Sequence, residues 1–474
     1  MSLIWKRNYI IKQLYNDIHS NILKDGDKIS NINGYITNIK RFKKLTFIDL
    51  MDGTTSTPLK IVIKSNDYNL NIGQSLSLNN WICKKTPNRK QSFELIRDEH
   101  ISSILNINNT QKNSIIQQPN ELDINLSTLR NLPLQKFKNN YMANLLRFRS
   151  AMELTIFNVL QNDLNFIKVD PPIITTNDTE GNNETFKLIS SNNKIFPLNQ
   201  PNSLNLTVST QLHLEILAQS LSNVYSYSPC FRAERSDTGR HLTEFYMLEL
   251  ETTEFNTLPK LIALTHKFII NTVGRLLQNQ NFLLDWNQHP LPIDIMSIDN
   301  IVERWNNIIN LKNWHEIEYI DVIKQLNLHK DKFKSIPPNL QNLNKINITT
   351  EHEKWVSSNL FNNGFVFIKN YPRTLKPFYM KLNNDNLNTV QCFDLIFPEL
   401  GEIIGGSMRE DNYSNLNSLL PQDLIWYGKL RDSTYRTSGG FGLGIERFIA
   451  YLMGVKNIKD TIPFYRSAKS KITL

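Results

Sequence analysis

The sequence predicts an α+β protein in which a small β-barrel precedes a larger domain built on an antiparallel sheet. Three observations carry this reading. The chain has 474 residues, more than one hydrophobic core usually holds. Its first hundred residues fall into short strand-like runs separated by turn residues. Beyond Leu134, strands close enough in sequence to form antiparallel hairpins are interspersed with long helical periodicities.

The barrel strands are read in "KISNINGYITNIK", "LTFIDLMDG" and "LKIVIK", between Lys28 and Lys64, and then at Ser75–Lys84 and Ser92–Ile96. Gly34, Asp52-Gly53 and Pro58 punctuate them. This module spans residues 1–105. Residues 106–133 include "NINNTQKNSIIQQPN", polar and poor in aromatics, and read as a linker. The third region, 134–474, opens on a helical pattern through "YMANLLRFRSAMELTIFNVLQNDL" and runs into "FIKVDPPIIT", a strand broken by Pro171-Pro172. "LPKLIALTHKFIINTVGRLL" and "WHEIEYIDVIKQL" read as helices, and no internal repeat is present.

Composition narrows the class. Hydrophobic content of 40% and charged content of 20% fit a globular chain, and no apolar run reaches membrane-spanning length. A net charge of +9 fits a polyanionic partner such as nucleic acid. Cys83, Cys230 and Cys392 lie too far apart for zinc-ligand spacing or a disulfide framework, which fits a reducing compartment. The opening "MSLIWKRNYIIKQLYN" carries Lys6, Arg7 and Lys12 with no acid before Asp17. It fits an organellar targeting segment, and equally a lead-in helix packed on the first domain.

Four constellations carry chemistry. In the barrel, Lys40, Arg41, Lys43 and Lys44 are interleaved with Phe42 and Phe47, a pattern that tracks phosphates and stacks unpaired bases. "CFRAERSDTGRHLTEFYMLELE" reads as strand, polar loop and strand. Period-two alternation places Arg232 and Glu234 on one face of its first strand and Phe245, Met247 and Glu249 on one face of its second. Arg235, Asp237, Gly239, Arg240 and His241 lie in the loop. Together they describe a cleft floor with cations for phosphates and a ring for a base. In "FDLIFPELGEIIGGSMRE", Asp394, Glu399 and Glu402 gather carboxylates of the kind that share magnesium with phosphates, and Arg409 offers a planar fork. "SGGFGLGIERFIAYLMG" is a glycine strand followed by a helix with Arg447 near its start. Its G-x-G-x-G spacing is not the dinucleotide fingerprint.

These segments resemble the three motifs of class II aminoacyl-tRNA synthetases. "FRAERSDTGRHLTEF" is similar to motif 2, "GGFGLGIERF" to motif 3, and the helix before "VDPPIIT" to motif 1, the dimer-forming element of that class. The leading module resembles the anticodon-binding OB-fold of the aspartyl, asparaginyl and lysyl subclass. "NDTEGNNETFKL", "LTVSTQLHLEILA", "TEHEKW", "FYMKLN", "GEIIGGSMRE" and "IPFYR" most resemble the asparaginyl enzymes. The resemblance runs from about Lys28 to Arg466.

The resemblance implies ATP-dependent activation of asparagine and its transfer to tRNA(Asn), in a homodimer with Mg2+. It implies that Arg232 binds the α-phosphate and the reacting carboxylate, with Glu234 beside it. Phe245 stacks on adenine, Arg447 covers the other face, and Arg240 and His241 meet the outer phosphates. Asp394 and Glu402 hold magnesium. Glu180 receives the substrate ammonium and Gln211 positions the substrate, while Arg409 and Glu234 read the two ends of a carboxamide. Aspartyl enzymes have a lysine where Leu214 stands here, which favours asparagine over aspartate. Phe47, Arg41 and Lys60 are implied to meet tRNA; the subclass often has glutamine near Lys60, so base reading departs from the pattern there. Rival readings are an aspartyl enzyme of relaxed specificity and a non-catalytic RNA-binding paralogue. The basic start and the richness in Asn, Ile and Lys point to the mitochondrial matrix, with a bacterial cytoplasm as the alternative.

Overall fold

The computed structural model describes residues 8–64, 70–87, 92–97, 104–107, 126–132, 136–176, 179, 184–188, 204–279, 296–417, 419–420, 424–431 and 434–470. Most of the expected linker, the first seven residues and Glu180 lie outside these. The chain divides into two compact units, Met1–Phe148 with Asn281–Ile295, and Arg149–Gln280 with Met296–Leu474.

The first unit holds a closed barrel of five strands, β1 (Lys28–Arg41), β2 (Thr46–Met51), β3 (Leu59–Ile63), β4 (Ser75–Lys85) and β5 (Phe93–Arg97). They close in the order β1-β2-β3-β5-β4-β1, with β3 and β5 parallel and the other pairs antiparallel. This is OB-fold connectivity. Closure depends on the long β1, whose first half pairs with β4 and whose second half pairs with β2. Gly34 lies at the switch, where a Cβ would come 2.6 Å from the Met51 carbonyl oxygen. Alternate residues Ile48, Leu50, Leu76, Leu78, Trp81 and Leu95 fill the barrel. Helix α1 (Ile11–His19) adds Ile11, Leu14 and Ile18 to that core, so the second half of the basic opening segment is a packed helix.

The second unit is built on eight strands: β6 (Ile167–Lys168), β7 (Asn223–Phe231), β8 (Glu244–Thr252), β9 (Trp314–Glu318), β10 (Phe365–Lys369), β11 (Cys392–Phe397), β12 (Gly401–Met408) and β13 (Gly439–Gly444). Their order is β9-β10-β11-β12-β13-β8-β7-β6, parallel only at the two outer pairs. Helix α2 (Asn140–Asn158) leads into the unit, and α3 (Gln211–Leu221) precedes β7. Helix α4 (Leu258–Gln278) carries a buried stripe of Leu261, Leu264, Phe268 and Val273, and Phe268 meets Phe441 of β13 at 5.8 Å between rings. Helix α5 (Ile298–Ile309) is tied to the final helix α6 (Ile445–Met453) by the Trp305 indole, which donates to the Leu452 carbonyl at 2.8 Å. Gly454 ends that last helix in the left-handed region at φ 65°.

Two sequence expectations are corrected. "WHEIEYIDVIKQL" is not one helix: Trp314–Glu318 is an edge strand and the helix begins at Tyr319. Trp314 packs on Phe365 and Phe367 of the neighbouring strand, and that ring packing overrides the local helical pattern. Arg232 and Glu234 also lie just beyond β7, which ends at Phe231. The chain stays extended there, because the Arg232 N–H donates to Thr243 at 3.0 Å and the Ala233 N–H to Glu184 at 2.8 Å.

Candidate active site

The hairpin β7–β8, the adjacent glycine strand β13 and strands β11–β12 surround a cavity of about 270 Å3. Arg232, Glu234, Arg240, His241, Phe245, Gln211, Asp394, Glu402, Arg409 and Arg447 all line it. The cavity therefore brings together residues that lie as far apart in sequence as Gln211 and Arg447. Glu180 lies outside the described residues. Phe47, Arg41 and Lys60 belong to the barrel of the other unit.

One part of the cavity lining is a buried network. Arg409 forks onto Glu251, with Nε 3.1 Å from each carboxylate oxygen and Nη2 2.7 Å from Oε2. Ser438 donates to Glu251 at 2.7 Å, and Arg409 donates to the Ser407 hydroxyl at 2.7 Å. Burial works against both charges; it raises the Glu251 carboxyl, and Arg409 pulls it back down. The glycine strand makes this possible. A Cβ at Gly440 would stand 2.3 Å from Glu251 Oε2 and 2.9 Å from Arg409 Nη2. Behind it, Glu215 accepts from Arg431, Tyr427 and Tyr435.

Beside that network, Glu249 fixes the start of α3. It accepts from the Ser209 hydroxyl, and from the Thr210 N–H at 2.8 Å and hydroxyl at 2.6 Å. Gln211 is thereby held against the cavity, and its buried Oε1 accepts no hydrogen bond among the described residues.

A second part of the lining is cationic and looser. The Arg232 guanidinium lies over the Phe245 ring at 5.3 Å and 4.0 Å from Glu234, which is 3.8 Å from His241. Arg447 donates to the Glu402 carbonyl at 3.3 Å. The Arg240 side chain makes no hydrogen bond among the described residues, and its Nε is buried. Burial, then the neighbouring Arg447, lowers the Arg240 pKa, and burial also lowers that of His241. A cluster of cations held this close together is suited to a polyanion.

Carboxylates lie opposite these cations. Asp394 accepts from Lys376 at both of its oxygens, at 2.7 and 2.6 Å. Glu402 flanks the same glycine, since a Cβ at Gly405 would lie 3.2 Å from Glu402 Oε1 and 3.7 Å from Asp394 Oδ1. Glu353, from helix Thr350–Trp355, accepts the Glu402 N–H at 3.1 Å; burial, then Glu402, pushes its carboxyl to about 7. Glu399 does not join this cluster. It turns at φ 65° and pairs with Arg304 at 2.9 Å.

Sequence reasoning missed Glu251, Lys376 and Glu353. Glu251 continues the alternation of Phe245, Met247 and Glu249 and was accessible from it. Glu353 stands in "TEHEKW", and Lys376 lies just before "FYMKLN", but neither spacing marks a cavity group.

In the barrel, Phe47 and Phe42 meet edge to face at 5.6 Å between rings. Arg41 donates to the Leu70 carbonyl at 2.6 Å, and Lys60 pairs with Asp49.

The chain is similar to known proteins in both sequence and architecture. Residues 126–468 match the family described as tRNA synthetases class II (D, K and N). The chain is 40% identical to the mitochondrial asparagine–tRNA ligase of Saccharomyces cerevisiae, over 98% of this chain and 96% of that one. It is 34% identical to the asparagine–tRNA ligase of Mycoplasmopsis pulmonis, over 97% and 98%. The fold matches asparaginyl-tRNA synthetase from Pyrococcus horikoshii complexed with asparaginyl-adenylate, at TM-score 0.79 and 24% identity over 97% of this chain and 98% of that one. The chain thus belongs to the class II tRNA synthetases of the D, K and N group.

Proposed function

We propose that this chain joins asparagine to tRNA(Asn) in two steps, through asparaginyl-adenylate formed from ATP. The observation that carries the reading is one cavity lined both by a guanidinium locked onto Glu251 and by a cluster of cations beside an aromatic ring.

The nucleophile of the first step is a carboxylate, already ionised at neutral pH, so no general base is needed. Rate must come from alignment and from neutralising charge on the phosphates. Arg232 is assigned to the α-phosphate and the attacking carboxylate, whose oxygen displaces pyrophosphate in line. Phe245 and Arg447 sandwich adenine, Glu234 borders the nucleotide, and Arg240 and His241 meet the outer phosphates. The 3′-hydroxyl of the terminal adenosine then takes the acyl group and AMP leaves.

Asp394 and Glu402 fit a magnesium ion, because both carboxylates flank the bare edge of Gly405 and leave the remaining positions to phosphate oxygens and water. Bound there, it would neutralise the phosphates. Glu180 is assigned to the substrate ammonium and Gln211, with its free Oε1, to the substrate's polar groups.

For the side chain, Arg409 serves the carboxamide oxygen and Glu234 its nitrogen. Aspartate would bring a second anionic oxygen toward Glu234, and Leu214, which lines the cavity, offers it no cation. Asparagine-dependent pyrophosphate exchange should exceed aspartate-dependent exchange by at least about 100-fold. Equal rates would overturn the assignment in favour of an aspartyl enzyme, and no exchange with either would favour the non-catalytic paralogue.

Phe47, Arg41 and Lys60 are assigned to the anticodon, with Lys60 already engaged by Asp49. A homodimer is supported by the exposed apolar side chains Leu154, Ile167 and Ile174 along the motif 1 segment. Placement in mitochondria is supported by the mitochondrial asparagine–tRNA ligases of Saccharomyces cerevisiae and Schizosaccharomyces pombe among the relatives. Among the described residues no helix is long and apolar enough to cross a membrane.

A further inference from the structure

Lys376 stands where a metal-binding carboxylate pair would be expected to be open. It follows the 3-10 turn Arg373–Leu375, its ammonium donates to both Asp394 oxygens, and it lies 4.0 Å from the centre of the Tyr371 ring. Both members of the pair are nearly enclosed, with side chains 12% and 9% exposed. Glu402, across Gly405, makes no ion pair with its carboxylate among the described residues. Arg240 lies in its field without pairing with it, and Arg447 donates to its backbone carbonyl.

Two facing carboxylates with no counter-charge would attract a divalent cation by themselves. With one of them already neutralised at both oxygens, the pair has the net charge of a single carboxylate, which holds magnesium poorly in water. We propose that Lys376 is an internal cation that makes metal binding at Asp394 and Glu402 conditional on nucleotide. The metal is then accepted only with the phosphates that complete its shell. This inference rests on the assignment of those carboxylates to magnesium. Lys376 is a positioning residue in this account: it acts through Asp394.

The test measures Mn2+ binding to the full chain by the electron paramagnetic resonance signal of free Mn2+, with and without the non-hydrolysable analogue α,β-methylene-ATP. The wild-type protein should bind Mn2+ weakly alone and tightly with the analogue. Lys376→Met should raise nucleotide-free affinity at least about tenfold. Asp394→Asn in that background should cancel the gain, and Lys376→Arg should keep the weak wild-type binding. If Lys376→Met does not fold, as judged by circular dichroism, Lys376→Gln takes its place. Unchanged nucleotide-free affinity in the neutral variant, with analogue-dependent binding intact, would overturn the conditional role alone. Analogue-dependent binding that ignores both Asp394→Asn and Glu402→Gln would overturn the metal assignment and this inference together.

Discussion

Two parts of the cavity lining use arginine in opposite ways. Arg409 is enclosed, and its fork is met by Glu251 and Ser407. Arg240 and Arg447 have almost no protein partners, and Arg232 lies on a ring at the open floor. A group that must discriminate between near-identical ligands gains from being fixed before the ligand arrives. Groups that receive a flexible triphosphate gain from keeping their hydrogen-bond capacity for it. The difference teaches that the partner of each guanidinium, more than its presence, separates selection from charge neutralisation.

The strongest way to break this comparison is Arg409→Ala. It leaves Glu251 buried without its counter-charge and should destabilise the second unit by about 3–5 kcal/mol in denaturant titrations, besides abolishing asparagine-dependent exchange. Arg232→Ala should instead lower the exchange rate by about 100- to 1000-fold while leaving the unfolding midpoint nearly unchanged. A comparable loss of stability in both variants would erase the distinction. Away from the cavity, Phe47→Ala should raise the KM for tRNA about tenfold and leave pyrophosphate exchange intact, since it removes stacking on a base and an edge-to-face contact with Phe42, both within the barrel. Loss of exchange as well would contradict a role confined to tRNA.

The smallest effect concerns protons. Burial holds the His241 pKa below its ordinary value in the ligand-free protein, which favours the neutral ring. Arriving phosphates favour the charged ring and raise that pKa, so ATP binding should take up a fraction of a proton. Calorimetry in buffers of different ionisation enthalpy reads this directly, and His241→Gln should remove it. Proton release would place His241 away from the phosphates.

Much of this was readable in advance because the informative residues cluster in short segments. The β7–β8 hairpin and the glycine strand with its helix could be located from alternation and spacing, and Arg232, Phe245 and Arg447 do meet in one cavity. What escaped was set by packing between distant segments. Glu399 looked equivalent to Glu402, but a left-handed turn sends it to Arg304. Trp314 sat in a helical pattern, but neighbouring rings drew it into a strand. Lys376 carries no local signature, because its meaning comes from a carboxylate eighteen positions later, on β11.

The burial of α1 also constrains how the mature N-terminus can be made. Ile11, Leu14 and Ile18 are core residues of the barrel. A maturation protease, or a designer placing a cleavable tag, has only the stretch ahead of Ile11 to work with. A cut further in would expose apolar strands and turn a processing event into a folding defect.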